Sequence, residues 1–128
     1  MTKVNCWWMR GPKPGNLGDI ITPFILRKLG FEPFWVNPNT PNKLVCVGSV
    51  AKSVTIGDVA WGCGILDARN LLEKNATWLA VRGPLTGEKV GCKVYGDPGL
   101  LCSNLFPMKT KSEGTAAIPH YIDSLTLT

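Results

Sequence analysis

The sequence lacks any apolar run that approaches the roughly 20 residues a membrane span requires. Its first residues contain a short apolar patch but no small-residue cleavage signal, so we expect no signal peptide. The 128 residues suffice for one α/β domain with a buried core and are too few for two. Because 45% of the residues are hydrophobic and 18% are charged, we expect a soluble globular protein without a membrane span.

Histidine and paired cysteines are scarce. The chain has one histidine and five cysteines, and no two cysteines form a CxxC pair. A zinc site would require several distant cysteines to converge, so we expect neither a metal nor a cofactor. The cysteine number is odd and most cysteines lie in apolar runs, where a thiol behaves as a small hydrophobe. These features favour a reduced, cytoplasmic protein.

Acidic residues are fewer than basic ones, which gives a formal net charge of +5. The basic residues are scattered, apart from Lys109 and Lys111, and there is no arginine-rich or aromatic-basic repeat. This distribution favours a solvated basic surface over a nucleic-acid interface. A positive balance also suits a small anionic ligand.

Strand-like and helix-like segments alternate along the chain. The predicted strands are 4–9, 31–36, 44–48, 59–64, 77–82, 93–96 and 115–121. The predicted helices are 20–29, 49–54, 67–75, 84–90 and 100–105. This alternation predicts one α/β domain over residues 1–128, with a doubly wound, mostly parallel sheet and helices on both faces. Ligands of such folds bind beyond the carboxyl ends of the strands.

The most informative segment is Asn16-Leu17-Gly18-Asp19, between the first predicted strand and the first predicted helix. A strand, a glycine-bearing loop and a helix start together are typical of an anion-receiving turn. In that interpretation Asn16 donates to the anion, and Gly18 permits close approach of the backbone. The alternative is a plain helix start, with Asp19 as the N-cap residue.

Glycines follow two further strands. Gly48 and Ser49 either present donors to a ligand or form a tight turn. Gly62 and Gly64 either bring the backbone close to a ligand or merely end a strand. Trp61, beside them, either stacks on a sugar or packs in the core, whereas the other four tryptophans are predicted to pack in the core.

Three ionisable residues follow later strands. Arg82 has a planar guanidinium that suits bidentate binding of carboxylate or phosphate, and an ion pair with Asp97 or Glu88 is the equal alternative. Asp97 is interpreted as a turn-former more readily than as a base. His120 is either structural or a general acid, since its ordinary pKa of about 6.5 suits proton transfer at neutral pH.

Taken in order, these motifs resemble those of the polysaccharide pyruvyl transferase family. The resemblance covers nearly the whole chain. The matching segments are Cys6-Trp7-Trp8, Asn16-Leu17-Gly18-Asp19 with Ile21-Thr22-Pro23, Val47-Gly48-Ser49, Trp61-Gly62-Cys63-Gly64, Arg82-Gly83-Pro84-Leu85-Thr86, Gly96-Asp97-Pro98-Gly99-Leu100-Leu101 and Ile118-Pro119-His120-Tyr121.

The resemblance implies a reaction and a set of roles. Members of the family transfer the enolpyruvyl carbons of phosphoenolpyruvate to a hydroxyl pair of a saccharide, forming a cyclic ketal and releasing phosphate. By analogy Arg82 would bind an anionic group, and His120 and Asp19 would be the catalytic candidates. The implied substrate-binding residues are Asn16, Gly18, Gly48, Ser49, Arg82 and Asp97.

The resemblance also implies a Rossmann-like domain similar to one half of a GT-B-type glycosyltransferase. Residues 115–128 would then begin a second domain, and a partner chain or a homo-oligomer would complete the cleft. Three functions follow from the sequence: a pyruvyl-transferase-like enzyme, a non-catalytic sugar- or anion-binding module derived from that family, and a structural domain.

Overall fold

The structure is a computed structural model that describes residues 1–11 and 15–119. Within these residues the chain forms five strands, four short α-helices and two 3₁₀ helices. The strands are β1 (Thr2–Trp7), β2 (Phe31–Trp35), β3 (Leu44–Val45), β4 (Val59–Trp61) and β5 (Thr77–Ala80). The helices are α1 (Leu17–Ile20), α2 (Thr22–Lys28), η1 (Ala51–Ser53), α3 (Pro84–Val90), η2 (Pro98–Leu101) and α4 (Cys102–Leu105). No helix in this part of the chain has the length and apolar character needed to cross a membrane.

The strands form one sheet in the order β2-β1-β3-β4-β5, and all neighbours are parallel. A single parallel bridge between Val81 and Tyr95 extends the edge beyond β5. The predicted α/β class is therefore confirmed. From β1 the chain first adds β2 on one side and then crosses to β3 on the other. Crevices at such reversals lie outside the carboxyl ends of the strands.

Two apolar clusters cover the two faces of the sheet, because successive strand residues point to opposite sides. The cluster that contains Cys6 is called the first cluster, and the cluster that contains Trp7 is called the second cluster. Helix α2 covers the first face with Ile25 and Leu26. The second face is covered by η1 and by irregular chain between β4 and β5, so the prediction of regular helices on both faces holds only in part.

Several predicted elements are confirmed. Helix α3 spans Pro84–Val90, as predicted, and Gly91 ends it in the left-handed conformation with φ of 72°. A proline at the start and a glycine just after the end are typical of such helices. The predicted second strand is also present, at Phe31–Trp35.

The helix predicted over residues 67–75 is wrong. This segment forms turns in which side chains take the backbone hydrogen bonds: Asn70 Oδ1 accepts from the N–H of Leu66 and of Asp67. Glu73 likewise accepts from the N–H of Asn75. Such local acceptors compete with helical bonding. Leu71 is 92% exposed, and Leu72 packs against the second apolar cluster without forming a helix.

Other boundaries differ from the predictions. The first predicted helix is divided at Ile21, because Pro23 in the first turn of α2 has no N–H to continue the ladder of α1. The strand predicted at 93–96 is reduced to the Tyr95 bridge. Residues 115–119 form no strand, and the remainder of that predicted strand lies outside the described residues.

All five cysteines are free thiols, and all but Cys102 are buried. Burial raises the pKa of the Cys63 thiol to about 12. A hydrogen bond with Cys6 and burial raise the pKa of Cys46 well above its ordinary value. These thiols therefore act as small core residues, as predicted. No group of three or more metal-ligating side chains occurs among the described residues.

A buried ion pair at the amino ends of β3 and β4 was not predicted. Lys43 and Asp58 are 1% and 0% exposed, and Lys43 Nζ donates to Asp58 Oδ2. Asp58 also accepts from Lys43 N, Thr55 N and Thr55 Oγ1 at 3.1, 2.7 and 3.0 Å. Both oxygens of this carboxylate accept hydrogen bonds, Oδ1 from Lys43 N and Oδ2 from Lys43 Nζ and Thr55, so the pair ties β3, β4 and the turn before β4 together.

Candidate functional site

A cleft of about 460 Å³ lies at the carboxyl ends of the strands. Its volume falls within the range of small-molecule sites. The loop after β1 forms one wall, the turn after β3 forms the floor, and residues after β4 and β5 complete it. The lining residues are Asn16, Gly18, Asp19, Val47, Gly48, Ser49, Leu66, Arg82 and Asp97.

The cleft brings together seven residues that the sequence singles out for binding or catalysis. They come from four separated segments of the chain and converge because parallel strands end at the same edge of the sheet. His120, the eighth, lies outside the described residues. The seven are Asn16, Gly18, Asp19, Gly48, Ser49, Arg82 and Asp97.

Asn16 is the N-cap of α1. Its backbone is extended and its Oδ1 accepts from Gly18 N at 2.9 Å. An extended residue with a side-chain acceptor two positions before that N–H is the usual N-cap arrangement. The prediction that Asp19 caps the helix is therefore wrong, and the carboxylate of Asp19 takes no part in capping.

Asp19 is half-buried in the cleft wall, and burial raises the pKa of its carboxyl above the ordinary 3.8. Its carboxylate forms no ion pair or hydrogen bond with any residue that the structure describes. Gly48 lies against it: φ is 117° there, and a Cβ would lie 3.1 Å from Asp19 Oδ1. A side chain at position 48 would be strained and would press on the carboxylate, so the cleft requires glycine.

Arg82 is the cation of the cleft, and it is exposed. Its Nη1 donates to Ser49 Oγ and its Nη2 to the carbonyl oxygen of Ile65, both at 2.8 Å. Neither Asp97 nor Glu88 forms an ion pair with it, so the predicted structural alternative is wrong. Asp97 instead accepts from Gly99 N at 2.8 Å and begins η2, which agrees with its interpretation as a turn-former.

Gly62 and Gly64 permit close approach of the chain to itself. A Cβ on Gly64 would lie 2.6 Å from Cζ and Nε of Arg82, and one on Gly62 would lie 2.1 Å from Pro98 Cδ. Both glycines are thus needed for close packing of the chain, and neither lines the cleft. Trp61 packs against the first apolar cluster and does not line the cleft.

Three contributions were not predicted from the sequence. Val47 and Leu66 line the cleft, and the carbonyl oxygen of Ile65 accepts a hydrogen bond from Arg82. Val47 lies within the Val-Gly-Ser motif and could have been found by its position. Leu66 and Ile65 carry no such signal, since apolar residues after a strand are ordinary.

Comparison with protein-family models, with curated proteins and with solved structures finds no match for this chain. The candidate site therefore rests on the geometry of its residues.

Proposed function

We propose that this chain is a polysaccharide pyruvyl-transferase-like protein whose cleft binds phosphoenolpyruvate. The observation that supports it best is the meeting of seven motif residues around one cleft, with an arginine that no described carboxylate neutralises. Phosphoenolpyruvate carries a phosphate and a carboxylate on three carbons, and a guanidinium beside hydroxyl and backbone donors suits such an anion.

The proposed reaction joins the pyruvyl carbon to two hydroxyls of a saccharide. An acid protonates C3 of phosphoenolpyruvate while one hydroxyl adds to C2 and loses its proton to a base. The C2–O bond to phosphate then breaks while the second hydroxyl bonds to C2, and the proton of this hydroxyl leaves with the phosphate as hydrogen phosphate. Arg82 binds the anion, and Asp19 and His120 are the proposed acid and base. Burial raises the pKa of Asp19, which brings it closer to the range in which a carboxyl exchanges protons efficiently.

The proposal includes a second wall for the cleft. Asn16, Gly18 and Arg82 are exposed, and Leu66 is 71% exposed, so the described residues form an open surface. Transfer chemistry is favoured where water is excluded. We therefore place the sheet as one half of a Rossmann-like, GT-B-type arrangement, completed by a partner chain or a second copy. The free cysteines suit the reducing cytoplasm.

A non-catalytic sugar- or anion-binding module is the second candidate. The same openness supports it, because an exposed cleft can hold an anion without sheltering a reaction. In that case Arg82 retains its role, whereas Asp19 and His120 have no role in proton transfer.

The test measures phosphate release from phosphoenolpyruvate with glycan acceptors, together with phosphoenolpyruvate affinity. The variants are Arg82→Ala and Asp19→Asn, and Arg69→Ala, an exposed arginine outside the cleft, is the control. Turnover that Arg82→Ala and Asp19→Asn abolish and Arg69→Ala retains supports the enzyme. Binding without turnover at any protein concentration supports the module. A chain that binds neither phosphoenolpyruvate nor the glycan acceptors overturns both.

A further inference from the structure

We propose that Ser49, Gly64 and Ile65 form a socket that holds the Arg82 guanidinium as the seat for one phosphate group. Ser49 and Gly64 are then positioning residues for anion binding. This inference rests on the proposed function, because it names the part of the same cleft that takes the phosphoryl end of the substrate.

The socket fixes the guanidinium at two points and along one face. Ser49 Oγ accepts from Nη1 and the carbonyl oxygen of Ile65 accepts from Nη2, each at 2.8 Å. The group also lies against the backbone of Gly64, where any Cβ would be 2.6 to 2.7 Å from Nε, Cζ and Nη2. An arginine side chain normally loses much rotamer freedom when it binds a ligand. Here that freedom is already restricted before an anion arrives.

Unused donors remain in the same place. A guanidinium has five N–H groups, and two of those of Arg82 are used by the socket. The backbone N–H groups of Gly48 and Ser49 make no hydrogen bond with the residues that the structure describes. Because Ser49 Oγ contacts Nη1, the backbone N–H of Ser49 is adjacent to the guanidinium, whereas Gly48 also lies against Asp19 Oδ1. Backbone N–H groups around a turn with a positive φ, here 117° at Gly48, are a common anion-binding arrangement.

The remaining polar side chains of the cleft limit where the anion lies. Asp19 and Asp97 also line it and would repel a phosphate. Asn16 uses its Oδ1 to cap α1, and its amide nitrogen remains a donor. A tetrahedral dianion, which accepts several hydrogen bonds on each oxygen, therefore fits best on the Arg82 and Ser49 side. The carboxylate of a substrate would extend toward Asn16.

The experiment titrates the full chain with inorganic phosphate by calorimetry. Ser49→Ala is expected to weaken phosphate binding about 3- to 10-fold, the effect of one hydrogen bond. Gly64→Ala is expected to weaken it as well, because its Cβ would displace the guanidinium. Gly83→Ala is the matched control, since a Cβ there has open space and its φ is −168°. Asp19→Asn is expected to tighten binding.

A double-mutant cycle separates positioning from general structural damage. If Ser49 and Gly64 act through Arg82, their substitutions have no further effect on phosphate affinity in an Arg82→Ala background. Equal losses in both backgrounds, or a wild-type chain that does not bind phosphate, overturn the socket. If phosphate binds, the double-mutant cycle gives the expected result and no pyruvyl transfer occurs, the phosphate seat is supported and the enzymatic function is overturned. Pyruvyl transfer that is unchanged in Ser49→Ala and Gly64→Ala overturns the seat alone.

Discussion

In the part of the chain that the structure describes, charged residues are paired at the amino ends of the strands, here called the amino edge, and unpaired at the carboxyl ends, here called the carboxyl edge. At the amino edge, Lys43 and Asp58 are buried and hydrogen-bonded to each other and to Thr55. At the carboxyl edge, Arg82 is exposed and Asp19 is half-buried, and neither has a charged partner among the residues that the structure describes. One edge thus has a closed network and the other an open cleft.

The difference follows from the cost of removing charge from water. A fully buried charge is tolerated only when it is paired and hydrogen-bonded, so the amino edge had to close its network. Charges that keep contact with solvent can remain available to a ligand. The two aspartates reflect this difference. Burial raises the pKa of Asp19. At Asp58 burial acts in the same direction, but hydrogen bonds from Lys43 and Thr55 outweigh it, so the net pKa is lowered.

The largest expected effect comes from breaking the amino-edge network. Asp58→Ala leaves Lys43 buried without its counterion and removes the acceptor of Thr55, which is expected to cost about 3–5 kcal/mol of unfolding free energy. Urea denaturation measures the loss. Asp67→Ala, which removes the exposed pair with Arg69, is the control and should leave the midpoint unchanged. A small loss in Asp58→Ala would show that the network is dispensable.

Arg82→Ala should have the opposite profile, with a small effect on stability and a large one on binding. The guanidinium is exposed and donates two hydrogen bonds that water can replace. Loss of a charged donor is expected to weaken phosphoenolpyruvate binding about 10- to 100-fold. Calorimetric titration and urea denaturation of one preparation test both parts. Unfolding of the variant at a much lower urea concentration would mean that the arginine is mainly structural.

The pH dependence of stability should differ in sign at the two aspartates. Asp19 has a raised folded pKa, so its contribution is fully present below the ordinary 3.8 and is lost as pH rises through the folded value. The stability of Asp19→Asn relative to wild type should therefore rise with pH in that window. Asp58 has a lowered folded pKa, so its contribution is present above 3.8 and is lost as pH falls through the folded value.

Urea titrations from about pH 3 to pH 7 measure these differences. Asp58→Asn should approach wild type as the pH falls, while Asp19→Asn should move away from it as the pH rises. Parallel curves for the two variants would contradict the comparison between the edges.

The smallest expected effect concerns the reactivity of the five cysteine thiols. Burial raises the pKa of Cys63 to about 12, and Cys6, Cys46 and Cys92 are buried as well. A disulfide reagent at pH 8 should therefore modify Cys102 first, and modification of the other four should follow only after urea is added. Mass spectrometry of the labelled peptides identifies the order, and Cys102→Ser is the control. Rapid labelling of Cys63 in the native state would indicate that the core beneath the cleft opens.

The sequence predicted the parts of the fold that depend on local pattern. Apolar runs predicted the position of β2 and the central residues of the other observed strands. Pro84 and Gly91 predicted the two ends of α3. The helix predicted over 67–75 failed because Asn70 and Glu73 take its backbone hydrogen bonds. That outcome depends on where each side chain finds its partner, which composition does not reveal.

The residues of the cleft were predictable because strand ends are marked by glycine and polar motifs, and parallel pairing brings such ends together. Their interactions were not. Asn16 rather than Asp19 caps α1, and Ser49 rather than Asp97 or Glu88 receives Arg82. Each choice is a matter of distances that are set by the packing of distant segments.

The sequence by itself therefore determined the α/β class, the order of most elements and the residues that meet at the carboxyl edge, because periodicity and turn chemistry are local. Only the tertiary structure decided which charges are paired. Lys43 and Asp58 lie 15 positions apart and Arg82 and Ser49 lie 33 apart, and the register of β3, β4 and β5 brings each pair into contact. The packing of the sheet buries the pair of Lys43 and Asp58 and leaves Arg82 exposed to solvent.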